Sequence, residues 1–146
     1  MILYHYTAAN RLHSIMREGL TRGDVPITPD QSLNAVWLTT DKQSSDHGLG
    51  EARPFTEQER QLIFRERGVM PSEGDGWDNK REVRITIKLP TTDRNLVSWM
   101  KWGRKRLEGG WFDTLTKGGG GKRKAETWWL YWGTIRPEQF ASVEHL

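Results

Sequence analysis

The sequence predicts an α+β fold built on a largely antiparallel sheet, and three observations carry that expectation. Residues 82–89 alternate strictly, with Val83, Ile85, Ile87 and Leu89 on one side and Glu82, Arg84, Thr86 and Lys88 on the other. That is the period-two pattern of a strand with one covered face. Residues 127–132 form a continuous apolar run, as a strand covered on both faces would. Helical patterns interrupt the strands irregularly, which argues against a repeating βαβ array.

Taken in order, residues 2–6 read as a strand of aromatic and branched side chains. Leu12, Ile15, Met16 and Leu20 follow at helical spacing. Thr7 or Asn10 serves as the N-cap and Gly19 suits a left-handed C-terminal cap. Pro26 and Pro29 place a loop over residues 21–31. Residues 35–39 form a second strand.

A long polar insertion then spans residues 41–80. Inside it, Thr56 followed by Glu59 is a capping-box pattern that starts a helix over residues 56–67, docked by Leu62, Ile63 and Phe64. Insertions of this length in small domains tend to carry function or to move. After the strand at 82–89, Pro90 ends the extended run. Thr92 or Asp93 then caps a helix over about residues 94–107, with Leu96, Met100, Gly103 and Leu107 facing inward. Gly118 to Gly121, flanked by Lys117 and by Lys122, Arg123 and Lys124, read as a flexible basic loop over residues 117–124. Pro137 opens a helical turn, and residues 141–145 read as a last strand. Nothing divides residues 1–146 into more than one domain.

Composition bounds the chemistry. Hydrophobic residues make up 35% and charged residues 28% of 146, enough for one domain with its own core. Of eight tryptophans, six fall between Trp99 and Trp132, so most are expected in that core. The chain has no cysteine, which excludes disulfides, thiol catalysis and thiolate metal sites. No run is long enough to cross a membrane, no basic-then-apolar leader opens the chain, and a cytoplasmic location is expected. The net charge of +3 hides an asymmetry: residues 101–124 hold eight basic residues against Glu108 and Asp113. Such a patch attracts phosphates or an acidic partner.

Several catalytic classes are excluded by their motifs. Lys122 is followed by Arg123 rather than Ser or Thr, so the glycine run is not a phosphate-binding P-loop. No dinucleotide fingerprint, serine-hydrolase elbow or His-Glu-x-x-His metal motif occurs, and no metal is expected. What remains is His5, a set of aromatics and several carboxylates. Those groups suit glycosyl transfer from a nucleotide. A histidine holds ribose hydroxyls, an aromatic face stacks on the departing base, and a carboxylate stabilises the developing positive charge. Arg84, on the polar side of its strand, is a candidate for a pyrophosphate.

Three segments in chain order carry a resemblance. They are Tyr4-His5-Tyr6-Thr7 with its trailing helix, Val36-Trp37-Leu38-Thr39-Thr40, and Glu126-Thr127-Trp128. Together they resemble the ADP-ribosyltransferase-like superfamily, in its branch with a histidine–tyrosine–acid triad. The resemblance covers roughly residues 2–40 and 126–145. It implies a compact, mostly antiparallel split β-sandwich with two or three helices, and NAD as the substrate. It places His5, Tyr6, Thr7, Trp37 and Thr39 around the NAD, beside Arg84, and gives catalytic roles to Glu126 and His5. The second motif of the family supplies a tyrosine for the nicotinamide. Residues 35–80 contain no tyrosine, so Trp37, Phe55 or Trp77 has to stand in for it. The expected activity is mono-ADP-ribosyl transfer to a macromolecule, protein or nucleic acid, with the basic segment 101–124 steering a polyanion. The alternative is a binding module without catalysis, for nucleic acid or for a protein partner.

Overall fold

The computed structural model describes residues 1–50 and 52–146. Strand β1 (Ile2–Thr7) leads through a 3-10 turn (Ala9–Arg11) into helix α1 (Leu12–Glu18). Strands β2 (Asp24–Thr28), β3 (Gln31–Asn34) and β4 (Val36–Thr39) follow. The insertion carries β5 (Arg53–Pro54), α2 (Glu57–Arg67) and β6 (Gly76–Trp77). Then come β7 (Val83–Lys88), β8 (Leu96–Ser98), α3 (Trp99–Arg106), α4 (Gly109–Gly118) and α5 (Lys122–Ala125). Strands β9 (Trp128–Tyr131) and β10 (Phe140–His145) complete the chain, joined through a 3-10 turn (Pro137–Gln139).

The fold is α+β, and its main sheet is antiparallel throughout, in the order β10-β7-β1-β4-β9-β8. The ladder is uneven. β1 and β7 stay in register from Ile2 opposite Lys88 to Thr7 opposite Val83. β4 and β9 run from Val36 opposite Tyr131 to Thr39 opposite Trp128. Between β1 and β4 a single register pair, Tyr4 opposite Thr39, holds the halves together. In its backbone ladder the sheet is thus two three-stranded halves joined by one register pair.

Two apolar clusters follow from the period-two alternation of the strands. Leu3, Val36, Leu38, Val83, Ile85 and Ile87 face one way, packed with Leu20, Ile135 and Leu12 and Ile15 of α1. The opposite face of the β4-β9-β8 half packs Trp128 and Leu130 against Trp99, Phe112 and Val25, under α3, α4 and the β2–β3 hairpin. On the β10-β7-β1 half, that face carries Tyr4, Tyr6, Arg84 and Thr86, none of which belongs to either cluster.

Several sequence expectations need correction. The helix expected over 94–107 begins only at Trp99, after β8 has paired with β9. The cap signal at Asp93 belongs to a turn, because its carboxylate accepts from the Asn95 N–H (2.9 Å) and the Tyr131 hydroxyl (3.1 Å). Ser98 caps the helix instead. The glycine-rich stretch 117–124 holds more helix than the expected loop: it closes α4 and opens α5, with residues 119–121 between them. Gly119 is buried where a Cβ would collide with the Trp128 ring, so the glycine fits a packing need. The described residues form five α-helices rather than two or three, and residues 21–31 hold most of a hairpin rather than a loop.

α2 forms with its full capping box and a left-handed Gly68 C-cap, as Thr56 and Glu59 predicted. It does not dock as expected: Leu62 is 50% and Phe64 46% exposed. No helix of the described residues is long and apolar enough to cross a membrane.

Candidate functional site

His5 stands where the two half-sheets part. Its Nδ1 lies 2.9 Å from the backbone carbonyl of Trp37 on β4. A carbonyl only accepts, so Nδ1 carries the proton and donates. Burial pushes the imidazole pKa below its ordinary value; the Trp37 carbonyl opposes that shift, and nearby Lys80 adds to it. The ring is therefore neutral at pH 7, with Nε2 presenting a lone pair. Among the described residues, Nε2 has no hydrogen-bond partner. A neutral, oriented acceptor at a strand edge is suited to taking a hydrogen bond from a hydroxyl.

A second constellation closes around Asp41, just beyond β4. Lys124 Nζ donates to Asp41 Oδ2 at 2.8 Å, and His47 Nε2 donates to the same oxygen at 3.0 Å. His47 Nδ1 accepts from the Trp128 indole N–H at 2.8 Å. An acceptor on Nδ1 fixes the proton on Nε2, so His47 is a neutral ring bonded at both nitrogens. Its pKa is lowered, chiefly by burial and next by the Lys124 charge, which outweigh the pull of Asp41. The His47–Asp41 contact is accordingly a hydrogen bond rather than an ion pair. For Asp41, burial pushes the carboxyl up, but donors from Lys124, the Gln43 backbone and His47 hold it below its usual range.

The hydroxyls beneath complete a directed chain. Thr127 donates to the Lys124 carbonyl (2.6 Å), so Thr39 donates to Thr127 (2.7 Å) and accepts from the Asp41 N–H (3.0 Å). The Tyr6 hydroxyl donates to the Asp41 carbonyl at 3.1 Å. With every polar atom engaged, this network is a clamp and not an acid–base pair. It binds the segment after β4 to α5 and β9, over the face that carries Tyr6. Asp46, His47 and Gly48 lie consecutively in the left-handed region (φ 64°, 58° and 71°). For the first two residues that is uncommon, and it delivers the His47 ring to the Trp128 indole.

The other residues expected around a nucleotide are dispersed. Thr7 is buried on the His5 side of β1. Trp37 is committed to the second core, 5.1 Å from the Trp99 ring and edge-on to Trp128 at 5.8 Å, with its N–H on the Asp24 carbonyl. Arg84 donates to Glu144 and to the Lys42 carbonyl, both at 3.0 Å, and lies 5.9 Å over the Tyr4 ring. Glu126 is exposed at the end of α5, two residues before β9. Among the described residues, no hydrogen bond or ion pair joins its carboxylate to His5.

Sequence reading missed Asp41, Lys124 and Thr127, and gave His47 no partner. The available signals were small. Asp41 follows two threonines at a strand end, and Asp46-His47-Gly48 is a run whose residue types tolerate left-handed backbone. Comparison with protein-family profiles, with curated proteins and with solved structures finds no match for this chain.

Proposed function

We propose that this chain transfers ADP-ribose from NAD to a macromolecular acceptor. The observation that carries the reading is His5: a neutral histidine, fixed through Nδ1 at the parting of two half-sheets, with Nε2 free to accept from a ribose hydroxyl. Lys80, close enough to disfavour protonation of His5, supplies positive charge for the pyrophosphate, since Arg84 is already held by Glu144. In the reaction the bond between ribose C1′ and the nicotinamide nitrogen breaks, and its electron pair neutralises the pyridinium. The acceptor's oxygen or nitrogen bonds to C1′ and loses its proton. The exposed carboxylate of Glu126 serves as the base for that proton and stabilises the cationic centre.

Release of nicotinamide from NAD by the purified protein tests this reading. His5→Ala and Glu126→Gln should each lower the rate by roughly 10²-fold or more, with circular dichroism unchanged. Undiminished release in both variants would end the assignment.

One observation favours a second reading, a binding module without catalysis. Trp37, which stands where the second motif needs an aromatic for the nicotinamide, is packed against Trp99 and Trp128. No nicotinamide release by the wild-type protein, together with tight binding of a macromolecule, would select that reading.

A further inference from the structure

We infer that the depression between α3 and the sheet-edge strand β8 binds single-stranded nucleic acid. It offers about 460 Å³ and is lined by Ser98, Lys101, Trp102, Lys105, Arg106 and Trp129, among others, with no carboxylate of the described residues in its wall. β8 is the last strand of the six-stranded sheet, so the depression opens along an edge and can receive a chain lying lengthwise.

The tryptophans divide into two groups by their indole N–H. Those of Trp37, Trp77, Trp99, Trp111 and Trp128 all donate to protein acceptors. Trp102, Trp129 and Trp132 donate to none among the described residues, and all three are partly exposed. Two of these line the depression, and the third braces Trp102 with ring centroids 5.3 Å apart. A partly exposed indole with a free donor suits a ligand that offers both a flat face and acceptors.

The cations point the same way. Lys101, Lys105 and Arg106 are exposed, and no described carboxylate pairs with them. Lys101 and Lys105 are one helical turn apart, so they share a face of α3. Cations beside aromatic faces bind a phosphate backbone while bases stack, without reading sequence. An acidic peptide would satisfy the charges and leave the indoles unused. A duplex would keep its bases out of their reach. That such a strand is the acceptor of the transfer rests on the transferase reading. That it binds here does not.

The test is fluorescence anisotropy with a labelled oligothymidylate, without NAD, between about 50 and 200 mM salt. The wild-type protein should bind with quenching of tryptophan fluorescence. The variant Lys101→Ala/Lys105→Ala/Arg106→Ala changes only exposed side chains, so it keeps the fold. It should flatten the log–log salt slope by about 2, three phosphate contacts at ~0.7 each. Trp102→Ala should weaken binding roughly ten-fold with the salt slope unchanged. Wild-type affinity in the triple variant would overturn the proposal. So would heparin, which has charge and no bases, binding as tightly as the oligonucleotide, or a duplex binding more tightly than the single strand. Because NAD is absent, failure here leaves the NAD reading untouched, and failure of that reading leaves this one standing.

Discussion

Replacing Asp41 with alanine should destabilise the protein by about 3 kcal/mol. The carboxylate accepts three hydrogen bonds, from Lys124 Nζ (2.8 Å), His47 Nε2 (3.0 Å) and the Gln43 N–H (2.9 Å). Its side chain is 20% exposed and that of Lys124 24%, so solvent screens the Lys124 pair and it contributes at most about 1 kcal/mol. The His47 ring is only 6% exposed, so its Nε2–H loses its acceptor without gaining water. An orphaned buried donor costs about 1–3 kcal/mol. The lost Gln43 bond adds about 1 kcal/mol. For a domain of this size, 1 kcal/mol corresponds to roughly 2–4 °C in Tm, so Asp41→Ala should melt roughly 6–12 °C lower. Thermal unfolding followed by circular dichroism reads the shift, with Glu73→Ala, an exposed site, as the control that stays within about 0.5 kcal/mol. A drop no larger than the control's would refute the clamp.

Three further outcomes follow from the same contacts. His5 and His47 both have pKa values below 6.5 in the fold, chiefly through burial. Their contribution to stability is complete above the unfolded value and is lost as pH falls through the folded values, so urea midpoints should decline from about pH 7 to pH 5; a flat or rising profile would contradict the neutral rings. Gly119→Ala should cost about 1–3 kcal/mol by forcing Trp128 aside. Gly118→Ala, which meets nothing within 4 Å at the end of α4, should be neutral or slightly stabilising; equal effects at the two sites would remove the packing explanation. Glu59 accepts from Arg53 (2.7 and 2.9 Å) and from the Trp77 indole (2.7 Å), and these bonds tie α2 to β5 and β6, which pair with each other on either side of it in the chain. Since α2 buries no residue, Glu59→Gln should speed proteolysis within residues 53–77 and leave the Tm unchanged.

The parts of the fold that were legible in the sequence are those set by local periodicity. The alternation at Val83, Ile85 and Ile87 gave β7 to within a residue at each end, and Thr56 with Glu59 marked α2 and its cap. The errors arose where tertiary pairing overrode a local signal. Leu96 and Val97 have helical spacing with Met100 and Gly103, yet they pair with Tyr131 and Leu130 across the sheet edge. Four glycines in a row read as flexibility, while Gly119 is buried under a tryptophan that comes nine positions later. The candidate site was half legible. His5 stood out through its aromatic neighbours. The clamp was hidden because Asp41, His47 and Lys124 are joined across as many as 83 positions, a separation that no short motif reports.

The most direct measurement is calorimetric titration of the protein with NAD, in the wild type and in His5→Ala. The wild type should bind saturably, and binding should weaken about ten-fold or more when the free Nε2 acceptor is removed, with the fold intact by circular dichroism. No saturable binding by the wild type, or equal affinity in the two proteins, would contradict it.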